Sequence, residues 1–191
     1  MIFDFNLATQ LRLSAVKRWG IVEMNRQQSV AEHSYNVALI ALNLIRASVG
    51  HKGFNKEDES LLLTLCLVHD MPEVFSGDIP STVKGAFEEE LDDWEATSFP
   101  AFSATNASVH RRNPNIKLVI KVADIMESII FAERYCIDIR KGRIIAGLYA
   151  DIDRFLDTDA ISGDKDFRSS LRVGLEKLWA EETFDIRAQH E

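Results

Sequence analysis

The chain has 191 residues, of which 30 are acidic and 22 basic, and its net charge at neutral pH is −8. This length suffices to bury one sizeable core, and no stretch has the composition of a linker, so we expect a single domain over residues 1–191. The acidic balance argues against nucleic acid as a partner, because a phosphate backbone attracts basic surfaces. It leaves room for a local basic pocket that binds a small phosphorylated ligand.

No segment suggests export or membrane insertion. Residues 1–6 contain an acid and no basic run, and the longest apolar run is far short of the ~18 residues that a spanning helix needs. We therefore expect a soluble cytoplasmic protein with no membrane partner. Cys66 and Cys136 both lie in apolar helical stretches, where a cysteine is usually a small core residue. They indicate a reducing compartment.

The apolar pattern predicts an all-α fold. Apolar residues recur at spacings of three and four, and no segment keeps strand-like alternation between turn signals. About seven main helices are predicted, over residues 5–17, 30–48, 57–69, 82–96, 115–138, 143–156 and 166–180. We expect these helices to pack as one bundle.

Several helix boundaries carry local signals. Helix starts are predicted at Ser29 with Glu32 as a capping box, Asn55 with Asp58, Ser81 before Thr82, and Asn113 before Pro114. Pro72 should end the third helix and can open a short new one. Residues 99–115 are rich in Ser, Asn and Pro, so we expect an irregular, mobile loop there.

Two histidines and two aspartates have the character of a metal site. His69 and Asp70 follow the apolar run 61–68, His33 lies early in the second predicted helix, and Asp124 lies in an apolar helical stretch. An unpaired carboxylate in an apolar surround costs several kcal/mol or changes its pKa, and a divalent cation removes that cost. Two imidazoles and two carboxylates suit Mn, Fe, Co or Zn.

The same residues favour a catalytic ion over a structural one. Four protein ligands on an ion that accepts five or six leave positions for water and for a phosphoryl oxygen. Glu73 lies four residues after His69, near enough to orient that water or to take a proton from it. Arg18 and Lys84 can neutralise phosphoryl oxygens, with Lys17 and Lys121 as further basic candidates. Alternatively, Arg18 only interacts with the end of the first helix and Lys84 is an exposed helical residue.

Five ordered motifs resemble a known family. They are Arg18-Trp19, Ser29-Val30-Ala31-Glu32-His33-Ser34, His69-Asp70-Met71-Pro72-Glu73, Gly77-Asp78-Ile79-Pro80 and Ala123-Asp124. In this order they resemble the HD-domain 5'-deoxynucleotidases of bacteria, and the chain is also similar to the phage dATP triphosphohydrolases that share that scaffold. The resemblance spans roughly residues 7–140.

The resemblance implies a role for each matching residue. It implies an HD-domain helical bundle with His33, His69, Asp70 and Asp124 as metal ligands, Glu73 beside the attacking water, and Asp78 in the shell of the substrate or of a second divalent ion. It also implies Arg18 on the phosphate side, Trp19 against sugar and base, a bacterial or phage source, and a homo-oligomer. Without the resemblance, Asp78 is equally well a turn residue and Trp19 a packing residue.

Base preference is predicted from Trp19 and Ile21, which flank Gly20 in the turn after the first helix. Gly20 permits close backbone approach, and Trp19 offers a stacking face. Ile21 offers only bulk, which tolerates the bare C2 edge of adenine better than the exocyclic amine of guanine. The sequence therefore predicts a preference for deoxyadenosine nucleotides over deoxyguanosine ones.

Two classes of function remain. The first is a metal-dependent phosphohydrolase that cleaves the 5'-phosphate ester of 2'-deoxynucleotides and releases the deoxynucleoside. Because Lys17, Arg18, Lys84 and Lys121 together can accompany a triphosphate, the prediction favours dATP giving deoxyadenosine and triphosphate. The alternative within this class is a 5'-deoxynucleotidase acting on dAMP and other deoxynucleoside monophosphates. The second class is a non-catalytic, nucleotide-binding regulatory module, and the intact metal ligands with Glu73 argue against it.

Overall fold

The computed structural model of the protein describes residues 4–48, 54–157 and 165–188, and within these ranges it contains ten α-helices and no strand. The helices are α1 Leu7–Leu11, α2 Val30–Ala47, α3 Lys56–Val68, α4 Glu73–Ser76, α5 Ser81–Ala86, α6 Glu88–Ser98, α7 Pro100–Arg112, α8 Pro114–Tyr135, α9 Lys141–Asp157 and α10 Lys165–Ala188. A 3-10 turn, Arg12–Ser14, follows α1. The prediction of an all-α fold is confirmed.

Helix α2 lies at the centre of the bundle. It packs against α8, α3 and α10, and α8 packs in turn against α9. Val37, Ala41 and Leu44 follow the spacing of three and four that turns one face of a helix inward, and all three are fully buried. Because α2, α3 and α8 lie side by side, polar residues on their facing sides meet inside the core.

The helix starts follow the sequence signals, with one difference at α2. The Ser29 hydroxyl accepts a hydrogen bond from the backbone N–H of Glu32 over 3.2 Å, as an N-cap does. The Glu32 carboxylate does not complete the predicted capping box, because it pairs with Arg26 at 2.7 Å. At α3 the box is complete, since the Asn55 side chain and the Asp58 side chain each accept from the other's backbone N–H.

The other predicted helix starts, near Asn113, Pro72 and Ser81, also occur in the structure. At α8, the side chain of Asn113 accepts from the N–H of Asn115 over 3.1 Å, and Pro114 occupies the first helical position. Pro72 directly precedes the short helix α4, and Ser81 is the first residue of α5. The sequence therefore located these boundaries correctly.

Over the described residues, the structure has ten α-helices where the sequence predicts seven main ones, because one predicted helix is divided into two and because α4 and α7 occur in addition. The segment 5–17 forms α1 and the 3-10 turn, and the segment 82–96 is divided between α5 and α6. The second break lies at Phe87, whose backbone leaves the helical region at φ −129°. Periodicity does not detect such a break, since the apolar spacing continues through it.

The prediction of an irregular loop over residues 99–115 is wrong, because most of this segment forms α7. Pro100 occupies its first turn, where the missing N–H has no cost. Phe102 is fully buried, its ring 5.7 Å from that of Phe5, and its N–H donates to Asp4 over 2.9 Å. Tertiary burial thus overrides the weak helix propensity of the Ser and Asn residues.

Cys66 and Cys136 are free and buried, as expected of small core residues. None of the described helices combines the length and the apolarity that crossing a bilayer requires.

Candidate metal centre

The structure brings together all four residues predicted to bind a metal. His33 lies in the first turn of α2, His69 directly follows α3, and Asp124 lies in the middle of α8. One side-chain ligand atom from each of these three residues lies within 4.8 Å of the others. Asp70 joins them, with its Oδ2 3.3 Å from Nε2 of His69 and 3.7 Å from Nε2 of His33.

Both imidazoles are held by their Nδ1 atoms. Nδ1 of His69 lies 2.7 Å from the carbonyl oxygen of Cys66, and an oxygen can only accept, so Nδ1 carries the proton. Nδ1 of His33 lies 2.6 Å from a carboxylate oxygen of Glu127. In both residues this leaves the Nε2 lone pair directed at the cluster, which is how metal-binding histidines are held.

The donor set fits a divalent cation. Within the part of the chain that the structure describes, neither Nε2 atom has a hydrogen-bond partner, although both are buried. A buried polar atom without a partner is costly, and coordination of an ion removes that cost. Two nitrogens and two carboxylates are suitable ligands for Zn, Mn, Co or Fe.

Electrostatics at the centre also favour positive charge. Burial lowers the pKa of His33, as does the charge of Arg18, but the nearby carboxylates of Asp124 and Glu127 outweigh both and raise it to about 9. Burial opposes ionisation of Asp124, yet the imidazole of His33, with Nε2 3.2 Å from Oδ1 of Asp124, and the charge of Lys121 hold the pKa of Asp124 well below the ordinary value. The carboxylates that favour a second proton on His33 can equally stabilise a metal ion in place of that proton.

Glu73 and Lys84 form a pair beside the cluster. Nζ of Lys84 lies 2.6 Å from Oε1 of Glu73 and 3.9 Å from Asp70. Burial and then the charge of Asp70 raise the pKa of Glu73 to about 8, against the opposing effect of Lys84. A carboxyl group that titrates near neutrality is suited to exchanging a proton with water.

The other basic residues have different surroundings. Arg18 is 13% exposed at its side chain and donates to the Ser128 hydroxyl over 3.3 Å. Its other terminal nitrogen, Nη1, is buried and makes no hydrogen bond among the described residues, but it lies 4.0 Å from the carboxylate of Glu127. Lys121 lies 3.5 Å from Asp124, whereas the contact shown for Lys17 is a backbone bridge to Ser29. Arg18, Lys84 and Lys121 therefore lie near the cluster carboxylates.

Trp19 is held in place at three points. Its backbone has φ +66°, a conformation that is unusual for any residue but glycine, and its N–H donates to Asp78 over 3.2 Å. Its ring lies nearly parallel to that of Phe131, 12° and 6.2 Å apart, and its indole N–H donates to Gln28 over 3.1 Å. Strain of this kind is often retained at functional sites.

Asp78 and Ile21 lie at the edge of the predicted site. The contact with Trp19 gives Asp78 a role in fixing that residue, beside the role in the substrate shell that the sequence predicts. Ile21 is 62% exposed, and its carbonyl accepts from Arg140 in the turn between α8 and α9. The structure thus brings Asp78 to Trp19 and leaves Ile21 at the surface.

Sequence reasoning missed two polar residues next to the centre, Glu127 and Gln28. Both are buried, and Glu127 lies one turn after Asp124 on α8. A carboxylate inside the apolar stretch 125–129 was a detectable signal of the same kind as Asp124. Gln28 has no such signal, because it precedes the helix in an irregular segment.

Residues 5–98 match the family model described as 5'-deoxynucleotidase YfbR-like. A dATP triphosphohydrolase of Acinetobacter phage SH-Ab 15497 is 33% identical over 145 residues, which cover 68% of each chain. A dATP triphosphohydrolase of Salmonella phage PMBT28 is 35% identical over 62% of this chain, and the match spans 61% of that relative. The Escherichia coli 5'-deoxynucleotidase YfbR is 37% identical over 73 residues, 38% of this chain and 36% of its own.

The solved structure of the Cyanophage S-2L HD phosphohydrolase DatZ, bound to dA and one catalytic Zn²⁺ ion, has the same fold. Its TM-score is 0.79 and its sequence identity 24%, and the match covers 93% of this chain and 98% of that one. The chain belongs to the family of HD-domain deoxynucleotide phosphohydrolases that includes the YfbR-like 5'-deoxynucleotidases and the phage dATP triphosphohydrolases.

Proposed function

We propose that this protein is a metal-dependent phosphohydrolase that cleaves the 5'-phosphate ester of 2'-deoxynucleotides and releases the deoxynucleoside. The observation that carries the proposal is the geometry of the cluster. The buried Nε2 atoms of His33 and His69 make no hydrogen bond among the described residues and lie 3.2–3.7 Å from carboxylate oxygens of Asp70 and Asp124. A structural role would not require Glu73, an acid with a pKa near neutrality, beside these groups.

His33, His69, Asp70 and Asp124 are the residues that would hold the ion. A bound divalent cation supplies a Lewis acid for phosphoryl oxygens and lowers the pKa of water to about 7. Lys84 lies beside the carboxylates of Glu73 and Asp70. Its ammonium group is therefore in place to interact with a phosphoryl group that enters the site.

Glu73 and Arg18 supply the remaining chemistry. The Oε2 atom of Glu73 is buried and has no hydrogen-bond partner among the described residues, so it can accept a proton from an attacking water. Nη1 of Arg18, which makes no hydrogen bond among the described residues and lies 4.0 Å from Glu127, can donate to a phosphoryl oxygen.

The ion we propose is Zn²⁺, with Mn²⁺, Co²⁺ and Fe²⁺ as alternatives that suit the same ligands. Cyanophage S-2L DatZ, which shares this fold, binds one catalytic Zn²⁺. Asp78 stays our candidate for the shell of a second divalent ion that enters with the substrate phosphates. The ligand set alone does not select among the metals.

The substrate we propose is dATP, with deoxyadenosine and triphosphate as products. Two relatives that align over more than 60% of this chain are named dATP triphosphohydrolase, whereas the 5'-deoxynucleotidase aligns over 38%. Arg18, Lys84 and Lys121 near the cluster suit a polyphosphate. A 5'-deoxynucleotidase acting on dAMP remains the second candidate, because residues 5–98 match the YfbR-like model.

A product analysis tests this choice. Purified protein loaded with Zn²⁺ is incubated with dATP and with dAMP in separate reactions, and the products are separated by anion-exchange chromatography. We expect intact triphosphate from dATP, without a dADP intermediate, and we expect Lys84→Ala to impair dATP turnover more than dAMP turnover. Lys56→Ala, which removes an exposed lysine at the start of α3, is the control and should change neither dATP turnover nor dAMP turnover.

The other outcomes are equally informative. Orthophosphate from dAMP, with dATP inert, would make the protein a 5'-deoxynucleotidase. Binding of deoxynucleotides without turnover of any of them, in protein that contains its metal, would make it a regulatory binding module. We propose that this activity takes place in the interior of a bacterial cell, which the phage and bacterial relatives support, and that a homo-oligomer carries it out.

A further inference from the structure

Three buried polar side chains, hydrogen-bonded in series, connect the candidate metal centre with the half-buried Trp19. Nδ1 of His33 lies 2.6 Å from Oε2 of Glu127, and Oε1 of Glu127 accepts from Nε2 of Gln28 over 2.5 Å. The carbonyl oxygen of the Gln28 side chain then accepts the indole N–H of Trp19 over 3.1 Å. His33 and Gln28 are 0% exposed and Glu127 is 3% exposed, so these groups must satisfy one another.

The donor and acceptor roles in this chain are determined at both ends. The indole of Trp19 can only donate, so the carbonyl oxygen of Gln28 must face it, and the amide NH₂ of Gln28 must face Glu127. Oε1 of Glu127 accepts from that NH₂, and Oε2 lies 2.6 Å from Nδ1 of His33, to which an ionised carboxylate can only be the acceptor. His33 then donates from Nδ1 and presents its Nε2 lone pair to the cluster.

We propose that Glu127 is a positioning residue that serves both halves of the site. It orients the imidazole of His33 toward the metal, and through Gln28 it orients the indole of Trp19. The inference rests on the proposed function, since it takes His33 as a metal ligand and Trp19 as the residue that contacts the nucleoside. Beyond the proposed function, the inference gives the Glu127 carboxylate on α8 the role of coupling the metal site to the nucleoside site.

The variant Glu127→Gln separates this role from simple packing, because it keeps the shape of the side chain. If the new amide oxygen faces His33, the new NH₂ faces the NH₂ groups of both Gln28 and Asn36. Two donors cannot pair, so Gln28 must rotate its carbonyl oxygen toward position 127 and release the Trp19 indole. At the other end, the neutral amide replaces the carboxylate charge behind His33 and weakens the imidazole as a metal ligand, so one substitution should disturb both ends of the chain.

Asn36 supplies a matched control. Its side-chain amide donates to the same Oε1 of Glu127 over 3.1 Å. Asn36 is not one of the residues that link His33 to Trp19. Asn36→Ala removes a hydrogen bond to Glu127 and leaves the link from His33 to Trp19 intact. Gln28→Met removes the link to Trp19 and leaves the contact between Glu127 and His33.

Two readouts test the proposal without using turnover. The first is the indole N–H signal of Trp19 in the NMR spectrum, assigned by its absence in Trp19→Phe. The second is Zn²⁺ affinity, measured by competition with a chromophoric chelator. Thermal melting confirms that each variant is folded, and Gln28→Met tests the Trp19 end independently if Glu127→Gln does not fold.

Glu127→Gln should shift the Trp19 signal and weaken Zn²⁺ binding by about 10–100-fold, the usual effect of losing a carboxylate behind a metal-binding histidine. Gln28→Met should shift the signal with Zn²⁺ affinity close to that of the unmodified chain, and Asn36→Ala should change neither. Unchanged Zn²⁺ affinity, or an unchanged Trp19 signal, in folded Glu127→Gln would overturn the inference. The expected pattern in a protein that hydrolyses no deoxynucleotide would refute the proposed function alone.

Discussion

Glu73 combines three properties that few surface carboxylates share. It is 4% exposed, it pairs with Lys84, and it lies near Asp70 of the cluster. Its second oxygen has no hydrogen-bond partner within the described ranges. At the scale of single residues, these contacts distinguish a carboxylate that can accept a proton from one that only packs in the core.

We expect Glu73→Gln to lower turnover by about 10²–10⁴-fold, the usual contribution of a general base. Metal content, measured by elemental analysis, should stay close to that of the unmodified protein, because Glu73 is not among the four cluster ligands. Glu57→Gln, an exposed carboxylate paired with Arg112, is the control and should leave turnover unchanged. Turnover retained in Glu73→Gln would remove Glu73 from the mechanism.

The base preference belongs to the same scale. We expect the unmodified protein to prefer deoxyadenosine over deoxyguanosine nucleotides, and Ile21→Ala to reduce the preference because it removes bulk facing the purine C2 edge. The check is the ratio of kcat/KM for the two purines. Ile137→Ala, another exposed apolar residue, is the control. Equal turnover of both purines by the unmodified protein would contradict the role given to Ile21.

At the scale of elements, the loop of residues 15–29 is hydrogen-bonded to the end of α8 and to the turn between α8 and α9. The N–H of Asn25 donates to the carbonyl of Tyr135, and the N–H of Ile137 donates to the carbonyl of Glu23. The Asp138 carboxylate accepts from the N–H of Glu23 over 3.3 Å and pairs with Arg140 over 2.7 Å. Since α8 also carries Asp124, one helix positions both this proposed metal ligand and the loop with Trp19.

The contacts of Asp138 with Glu23 and Arg140 predict that the stability of the fold depends on pH. The hydrogen bond with Arg140 is the main cause that holds the pKa of Asp138 well below its ordinary value of 3.8. A lowered pKa in the folded state means that the ionised group stabilises the fold above pH ~4 and that this contribution is lost as the pH falls further. Asp138→Asn should therefore unfold at lower urea concentration than the unmodified protein at pH 7.

The urea midpoints of Asp138→Asn and of the unmodified protein should differ by a constant amount from pH 7 to pH 5. This difference in urea midpoint should become smaller below about pH 4. Urea titrations followed by circular dichroism measure it. Asp151→Asn, which removes an exposed partner of Arg154 on α9, is the control and should show no such narrowing. A difference that persists unchanged at pH 3 would show that the charge of Asp138 is not responsible.

At the scale of the whole molecule, the metal should act as a clamp between α2, α3 and α8, because its ligands come from the ends or centres of these three helices. An ion that binds only the folded state stabilises it by about 2.7 kcal/mol at a hundredfold excess over its Kd. For a chain of this size that corresponds to a rise of about 5–10 °C in Tm.

We therefore expect chelation to lower Tm and to abolish turnover, with Zn²⁺, Mn²⁺ or Co²⁺ restoring both. Differential scanning calorimetry with and without chelator measures the first effect, and product formation measures the second. In Asp124→Asn the Tm should lose its response to metal, since a ligand is missing. A Tm that is insensitive to chelation in the unmodified protein, together with full activity, would contradict the metal proposal.

The sequence alone determined the helical fold, and it predicted the four residues that the structure brings together at the candidate metal centre. Apolar spacing predicted the central helices to within a few residues, and the caps at Asn55 and Asn113 fixed two of their starts. His33, His69, Asp70 and Asp124 were identified because polar groups in apolar helices need a partner. These signals are local, so they can be detected in short windows of the sequence.

Only the tertiary structure decided the features that depend on distant contacts. Residues 99–115 look irregular by composition, but burial of Phe102 against Phe5 makes most of them helical. The chain from His33 through Glu127 and Gln28 to Trp19 joins residues up to 99 positions apart, and no local pattern specifies such pairings. Packing of α2 against α8 creates these contacts, because it encloses polar groups where they can bond only to one another.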